Sequence, residues 1–173
     1  MKRLTLFGVL LTLGLLVSTP VFSYDVEIDG IYYDLTSDST ASVVRGSVDS
    51  NGDLIIPSSI NDNGKVYAVT EIGKEAFAYC GGLTSVTIPN SVITIDDWAF
   101  RDCHNLTSVT IGNTVAEIRR GAFLSCYSLT SVTIPNSVIR IGDYAFEYCS
   151  GLNSVTIPNS VIKIRDGAFP SCI

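Results

Sequence analysis

The sequence predicts a β-rich solenoid, a stack of similar coils with one short helical turn in each 23-residue repeat and a β-hairpin cap at the N-terminal end. Three observations predict it. The phrase LTSVTIPNSV at residues 83–92 returns letter for letter at 129–138 and in altered form from 106 and from 152. The units therefore start at Leu83, Leu106, Leu129 and Leu152, a constant step of 23 residues, and a period of about 20 to 29 residues is the mark of a solenoid. Inside each unit the apolar spacing changes, alternating first as in a strand and then recurring three and four residues apart as on one face of a helical turn.

The elements follow in chain order. Met1-Lys2-Arg3 is a short positive region, Leu4 to Val17 an apolar run, and Val21-Phe22-Ser23 a small-residue cleavage pattern. Residues 1–23 are therefore expected to be a secretory signal peptide. The apolar run is short for a membrane span, and the rival reading is an uncleaved anchor. No second apolar stretch of about 20 residues follows, so the mature chain is expected to carry no membrane span, and no cysteine near the cleavage point could carry a lipid. Residues 24–59 read as a β-rich cap, with hairpin signals at Asn51-Gly52 and Asn63-Gly64. Residues 60–173 read as the solenoid of about five coils, opening on the partial unit VTEIGKEAFAYC that ends at Cys80, 23 residues before Cys103.

Within one coil, Val86 and Ile88 lie on one side of a strand and Ser85 and Thr87 on the other. Pro89 ends that strand because it has no N–H to give to a ladder. Val92 and Ile95 mark a second short apolar segment. Ala99, Phe100 and Cys103 then follow at the spacing of a single helical turn, with Asp97, Asp143 and Asp166 placed just ahead of the turn as caps. A unit this short cannot bury its own apolar side chains. Stacked neighbours must cover both of its faces, and each coil must therefore offer the next the same pairing edge and core shape.

The string L-T-S-V-T-I-P-N-S-V-x-x-I-x-x-x-A-F-x-x-C, whole at Leu83 to Cys103 and again at Leu129 to Cys149, resembles the BspA-type leucine-rich repeat of bacterial and protist surface proteins. The resemblance covers about residues 69 to 173. It implies a leucine-rich-repeat solenoid and an extracellular, adhesin-like role in binding a host or neighbouring-cell protein or glycan. The second unit departs from the pattern, with Gly112 in place of proline and Arg119-Arg120 where neighbours carry acidic residues or glycine.

Charge and composition exclude other classes. Residues 24–82 hold ten acidic and three basic groups, and residues 83–173 seven and six. Phosphate recognition needs a basic field, so nucleic acid is not an expected partner. The single histidine, His104, sits beside Cys103, and with that cysteine facing the core the two side chains diverge instead of forming a nucleophile and base. No catalytic residue, cofactor or metal site is expected. Asp49 to Asp53 lacks the ligand spacing of a calcium loop. Cys80, Cys103, Cys126, Cys149 and Cys172 share one repeat position. A secreted chain invites disulfides, yet an inward column of five fits buried free thiols. A line of cysteines also cannot converge into a zinc tetrahedron. Asn105-Leu106-Thr107 is a glycosylation sequon, relevant only to a eukaryotic export route.

Binding remains, and two surfaces compete for it. The strand face repeats Ser85/Thr87, Ser108/Thr110, Ser131/Thr133 and Ser154/Thr156, a hydroxyl ladder with a step of about 4.8 Å. It would suit a periodic ligand, although Ser and Thr on exposed strands need no such reason. The second surface varies: Thr94, Glu117, Arg140 and Lys163 in one column, Trp98, Gly121, Tyr144 and Gly167 in another, with Tyr79, Tyr127 and Tyr148 nearby. Ile93, Ala116, Ile139 and Ile162 form a column that is either core or an exposed stripe. Aromatic and arginine positions are the usual interface anchors, so the expected partner-binding residues are Trp98, Arg119, Arg120, Arg140 and Tyr144. The expected function is a noncatalytic secreted or cell-surface binding module for an extracellular protein or glycan. The alternative is a structural protein that self-associates end to end through uncapped coils, because nothing after Cys172 could cover the apolar residues of the last unit.

Overall fold

The structure, a computed structural model, describes residues 23–45 and 52–170. The expected signal peptide and the last of the five column cysteines lie outside the described residues. Three strands open the fold, β1 (Val26–Ile28), β2 (Ile31–Leu35) and β3 (Thr40–Val43), paired antiparallel in sequence. Asp29 and Gly30 join β1 to β2, both at positive φ (51° and 76°), the backbone of a two-residue hairpin whose twist matches the flanking strands.

Next come β4 (Gly52–Ile55), β5 (Ser59–Asp62) and β6 (Lys65–Ile72). Asn63-Gly64 does form a hairpin, with φ of 52° and 85° between antiparallel β5 and β6. Asn51, the first half of the other hairpin signal, lies outside the described residues. Gly52 opens β4, which pairs in parallel with β7 (Leu83–Thr87). The sequence signal reported a glycine-requiring φ of 95° but not where the following strand would go.

The remaining strands alternate between two sheets: β8 (Thr94–Ile95), β9 (Ser108–Thr110), β10 (Glu117–Ile118), β11 (Ser131–Val132), β12 (Arg140–Ile141) and β13 (Lys163–Ile164). The larger sheet runs β1-β2-β3-β6-β8-β10-β12-β13, with β5 paired off this path to the first half of β6, and the smaller runs β4-β7-β9-β11. From β6 and β4 onward both sheets are parallel, and from β6 and β7 onward they step by 23 residues, as in Ser85↔Ser108↔Ser131 and Ile95↔Ile118↔Ile141. These are the registers that stacked identical coils require.

Between the sheets lies a single stacked core. Phe77, Phe100, Phe123, Phe146 and Phe169 stack face to face with centroids 5.1 to 5.3 Å apart and planes within 11°. Beside them run Ala76, Ala99, Ala122 and Ala145, all buried. The four described cysteines are buried free thiols. Three reach back one coil: Cys103 Sγ donates to Phe77 O at 3.1 Å, Cys126 Sγ to Phe100 O at 3.3 Å and Cys149 Sγ to Phe123 O at 3.2 Å. Burial pushes the Cys103 thiol far above its ordinary range, which keeps it protonated and unreactive.

Among the described residues the expected helical turn is not observed. Residues 73–80 and their equivalents form a chain of tight turns in which alternate amides have different partners. Ala76, Ala78 and Cys80 donate to carbonyls three residues back, whereas Glu75, Phe77 and Tyr79 donate to Asp97, Ala99 and Arg101 of the following coil. Two positions per coil are left-handed, seen at Glu75 and Tyr79, Trp98 and Asp102, Gly121 and Ser125, Tyr144 and Tyr148. A helix would direct every amide into its own segment. Here half of them tie coil to coil. The anticipated cap at Asp97 is likewise redirected, with its Oδ1 accepting from the Arg120 amide of the next coil at 3.1 Å.

Candidate partner-binding face

The outward positions of the larger sheet are Glu71, Thr94, Glu117, Arg140 and Lys163, laid side by side by the parallel register. Charge along them runs from acidic beside the first strands to basic at β13. Asp96, Arg119 and Arg165 follow just after the strands and repeat the same trend. Arg119 bonds Asp96 at 3.0 Å and Glu117 at 3.2 Å, and Arg140 bonds the other oxygen of Glu117 at 2.6 Å. Burial pushes the Glu117 carboxyl upward, but the hydrogen bonds from Arg119 and Arg140 outweigh it and hold the group below its ordinary range. Bonding to Asp96 and Glu117 raises Arg119 in turn. Glu71 goes the other way, raised first by burial and then by the nearby Asp96 carboxylate.

A second array lies beside this network. Trp98, Gly121, Tyr144 and Gly167 all occupy the left-handed position, with φ between 56° and 62°. Each aromatic ring lies over the glycine of the next coil. A Cβ built on Gly121 would come within 2.6 Å of the Trp98 ring, and one on Gly167 within 2.7 Å of the Tyr144 ring. The glycines therefore satisfy both the backbone angle and the space that the rings occupy. Lys74 Nζ stands 5.0 Å from the Trp98 centroid, and the Arg120 guanidinium lies 5.5 Å from Trp98 and 5.8 Å from Tyr144. All three distances are within the range of cation–π attraction.

Of the five residues singled out in the sequence, Trp98, Arg120 and Tyr144 thus form one array, and Arg119 and Arg140 are joined through Glu117. Arg119, Arg120 and Arg140 line one groove of about 570 Å³ that spans several coils and also takes in Lys163 and Arg165. Asp96, Lys74 and Arg165 were not singled out. A one-coil offset would have found the acid, since Asp96 and Arg119, like Glu117 and Arg140, are 23 residues apart. The isoleucine column proves exposed, at 51% for Ile93, 37% for Ile139 and 77% for Ile162.

From β7 onward the smaller sheet is chemically uniform. Its outward Thr87, Ser108, Thr110, Ser131 and Thr133 are exposed. The neighbouring threonines link coils, Thr107 Oγ1 donating to Thr84 O at 2.9 Å and Thr130 Oγ1 to Thr107 O at 3.2 Å. Hydrogen bonds from Ser85 and Thr84 hold the Asp53 carboxyl below its ordinary range. At a turn edge, Tyr127 stacks on His104 at 5.0 Å while Cys103 points inward, so histidine and cysteine diverge. Among the described residues no helix is long and apolar enough to cross a membrane.

Comparison with known proteins bears on this architecture. The family model of the BspA type leucine rich repeat region matches residues 70–173 in six copies. No curated protein sequence matches the chain. Three solved structures are similar. A leucine-rich repeat protein of Treponema pallidum has a TM-score of 0.77 and 32% identity, over 83% of this chain and 65% of its own. One from Bacteroides capillosus has a TM-score of 0.68 and 33% identity, over 81% of this chain and 97% of its own. A leucine rich cell surface protein from Faecalibacterium prausnitzii has a TM-score of 0.66 and 30% identity, over 83% of this chain and 45% of its own. The chain thus spans less than two thirds of the Treponema and Faecalibacterium proteins. With the 23-residue register, the two parallel sheets and the family match over more than half of its length, this chain belongs to the BspA type leucine rich repeat family.

Proposed function

We propose that the chain is a noncatalytic extracellular or cell-surface binding module that engages another protein or a glycan through the charged face of its larger sheet. The observation that carries this reading is the gathering of Trp98, Arg119, Arg120, Arg140 and Tyr144 on one face over neighbouring coils. Arginine and aromatic side chains held in place by their surroundings are the usual anchors of interfaces. The similarity to a leucine rich cell surface protein supports the location. The expected signal peptide of residues 1–23, the cap of residues 24–59 and the solenoid of residues 60–173 belong to the same proposal. An array of matrix proteins and glycans, probed with the full-length chain, tests it. Alanine at Trp98, Arg120 or Tyr144 should weaken capture by about 1 to 4 kcal/mol, and loss of capture on Ser108 or Thr133 substitution alone would move the site to the other sheet.

A second reading, self-association along the solenoid axis, draws on the last described coil. Ile164 is 49% exposed where Ile118 and Ile141 are fully buried, and Leu152, Val155, Ile157 and Phe169 line a hollow of about 220 Å³. A further coil laid there by another copy would bury these groups. Light scattering across a wide concentration range decides, a constant monomer mass removing the reading.

A further inference from the structure

The groove on the larger sheet has a charge opposite to that of the molecule. The chain carries a net −6, yet Arg119, Arg120, Arg140, Lys163 and Arg165 meet around one hollow whose carboxylates are Asp97, Glu117 and Asp143. Two of those three are already engaged. Glu117 is held by two guanidiniums and Asp97 accepts an amide. Among the described residues, Arg120, Lys163 and Arg165 make no ion pair. Arg120 is nonetheless positioned, because Trp98 and Tyr144 stand within cation–π distance of its guanidinium. A guanidinium held by rings, with its donor fork free, is preorganised for an oxyanion.

The spacing narrows the ligand further. Arg140 and Lys163 are register partners on adjacent coils. Arg119 and Arg165 are two coils apart, with Gly142 at the equivalent position between them, where the Arg119 backbone packs too closely for a side chain. Cations therefore recur at one and two coil steps, the latter about 10 Å. The groove crosses the parallel strands, whose amides and carbonyls are committed to the ladders, so an extended peptide laid across them would gain no backbone pairing. A linear polysaccharide needs none, and it repeats its anionic groups at steps fixed by sugar length.

We infer that this groove binds a linear acidic polysaccharide, with Arg120, Lys163 and Arg165 contacting successive carboxylate or sulfate groups. The inference rests on the binding-module reading above and names the ligand class of the same face. Among the described residues, Asp143 is the groove carboxylate with no side-chain hydrogen bond or ion pair, so its removal should favour the polymer.

Binding of the full-length chain to immobilised heparin, polygalacturonate, dextran and polyglutamate tests this. Heparin or polygalacturonate should bind, and the binding should fall steeply as salt rises through the screening range. Arg120→Ala, and separately the pair Lys163→Glu with Arg165→Glu, should each weaken it by about tenfold or more. Asp143→Asn should tighten it. All these positions are at least partly exposed, and unchanged thermal unfolding would show that the variants fold. Polyglutamate bound as tightly as the polysaccharides would make the ligand an acidic peptide and overturn the inference, as would equal binding of dextran or binding that survives the charge reversal. If the array captures proteins or neutral glycans but no acidic polysaccharide, this inference alone falls. If it captures nothing, the binding-module reading falls with it.

Discussion

The two sheets share one core and face solvent with opposite chemistries. On the smaller sheet, Ser and Thr recur from coil to coil and bond neighbouring backbone, as Thr107 does to Thr84. On the larger sheet, the outward column changes from Glu71 to Lys163, and neighbouring coils are tied by carboxylates and guanidiniums such as Asp96 with Arg119. Behind both, the inward residues scarcely change: Val86, Val109 and Val132 on one side, Ile95, Ile118 and Ile141 on the other, all buried. Packing between stacked coils fixes the inside of each strand, and the outside is left to vary wherever a side chain need satisfy only water. One sheet keeps a repeated surface and the other uses that freedom to assemble an irregular charged one.

The strongest way to break this contrast is to damage what the sheets share. Phe123→Ala removes a ring stacked between Phe100 and Phe146 and should cost about 3 to 5 kcal/mol. Denaturant unfolding followed by hydrogen exchange should show both sheets opening together. If one sheet survives, the core is not common to them.

A change confined to the charged face should cost less and leave the hydroxyl face intact. Gly121→Ala forces a left-handed alanine and a Cβ into the Trp98 ring, at a cost of about 1 to 2 kcal/mol. Trp98 is the only tryptophan, so its fluorescence should shift with the loss of stability. Unchanged emission would mean that the ring does not rest on Gly121.

On the other face, Thr107→Val removes one exposed hydroxyl bond and keeps the strand shape. A loss of no more than about 1 kcal/mol is expected in thermal unfolding. A larger loss would show that the hydroxyl column carries stability comparable to the charged network.

The smallest effects are electrostatic and opposite in sign. Glu117 is held below its ordinary range, so its contribution is present above the unfolded carboxylate range and lost as acidification passes its folded value. Glu71 is held above its range by burial and by Asp96, so its ionised form costs stability at neutral pH and that cost disappears on acidification. At neutral pH, Glu117→Gln should destabilise by about 0.2 to 1 kcal/mol and Glu71→Gln should be neutral or stabilising. Unfolding measured at neutral and at acidic pH checks both, and the two differences should shrink together at the acidic end.

Much of this was legible in the sequence because the repeat turns one-dimensional spacing into contact. Residues 23 apart are stacked neighbours, which placed Val86 over Val109 and Phe100 over Phe123 before any coordinates. The A-F-x-x-C segment misled for a physical reason. Spacings of three and four residues bring Ala99, Phe100 and Cys103 inward in a helix, but so does a chain of turns with two left-handed residues. The usual signal for left-handed backbone is glycine, and here other residues, Glu75, Trp98, Ser125 and Tyr148 among them, occupy most of those positions. Only Gly121 and Gly167 carried a trace of it. For the candidate face, residue type pointed to Arg120 and Trp98. The clamp between Trp98 and Tyr144 depended on which way the rings lean, and a list of columns does not hold that direction.

The lean of the rings has a consequence for how the chain could lengthen or shorten. Whole coils with one phrase in common are easily duplicated or lost, and the hydroxyl face and the phenylalanine stack would accept any number. The aromatic and glycine column would not. Deleting the coil that carries Gly121 would set Tyr144 directly after Trp98, placing a tyrosine Cβ where only a hydrogen fits under the indole. Along this part of the solenoid, copying the Trp98 and Gly121 coils together brings no such clash, whereas losing the Gly121 coil or duplicating an aromatic one does, so the larger face restricts the order of its coils in a way that the smaller one does not.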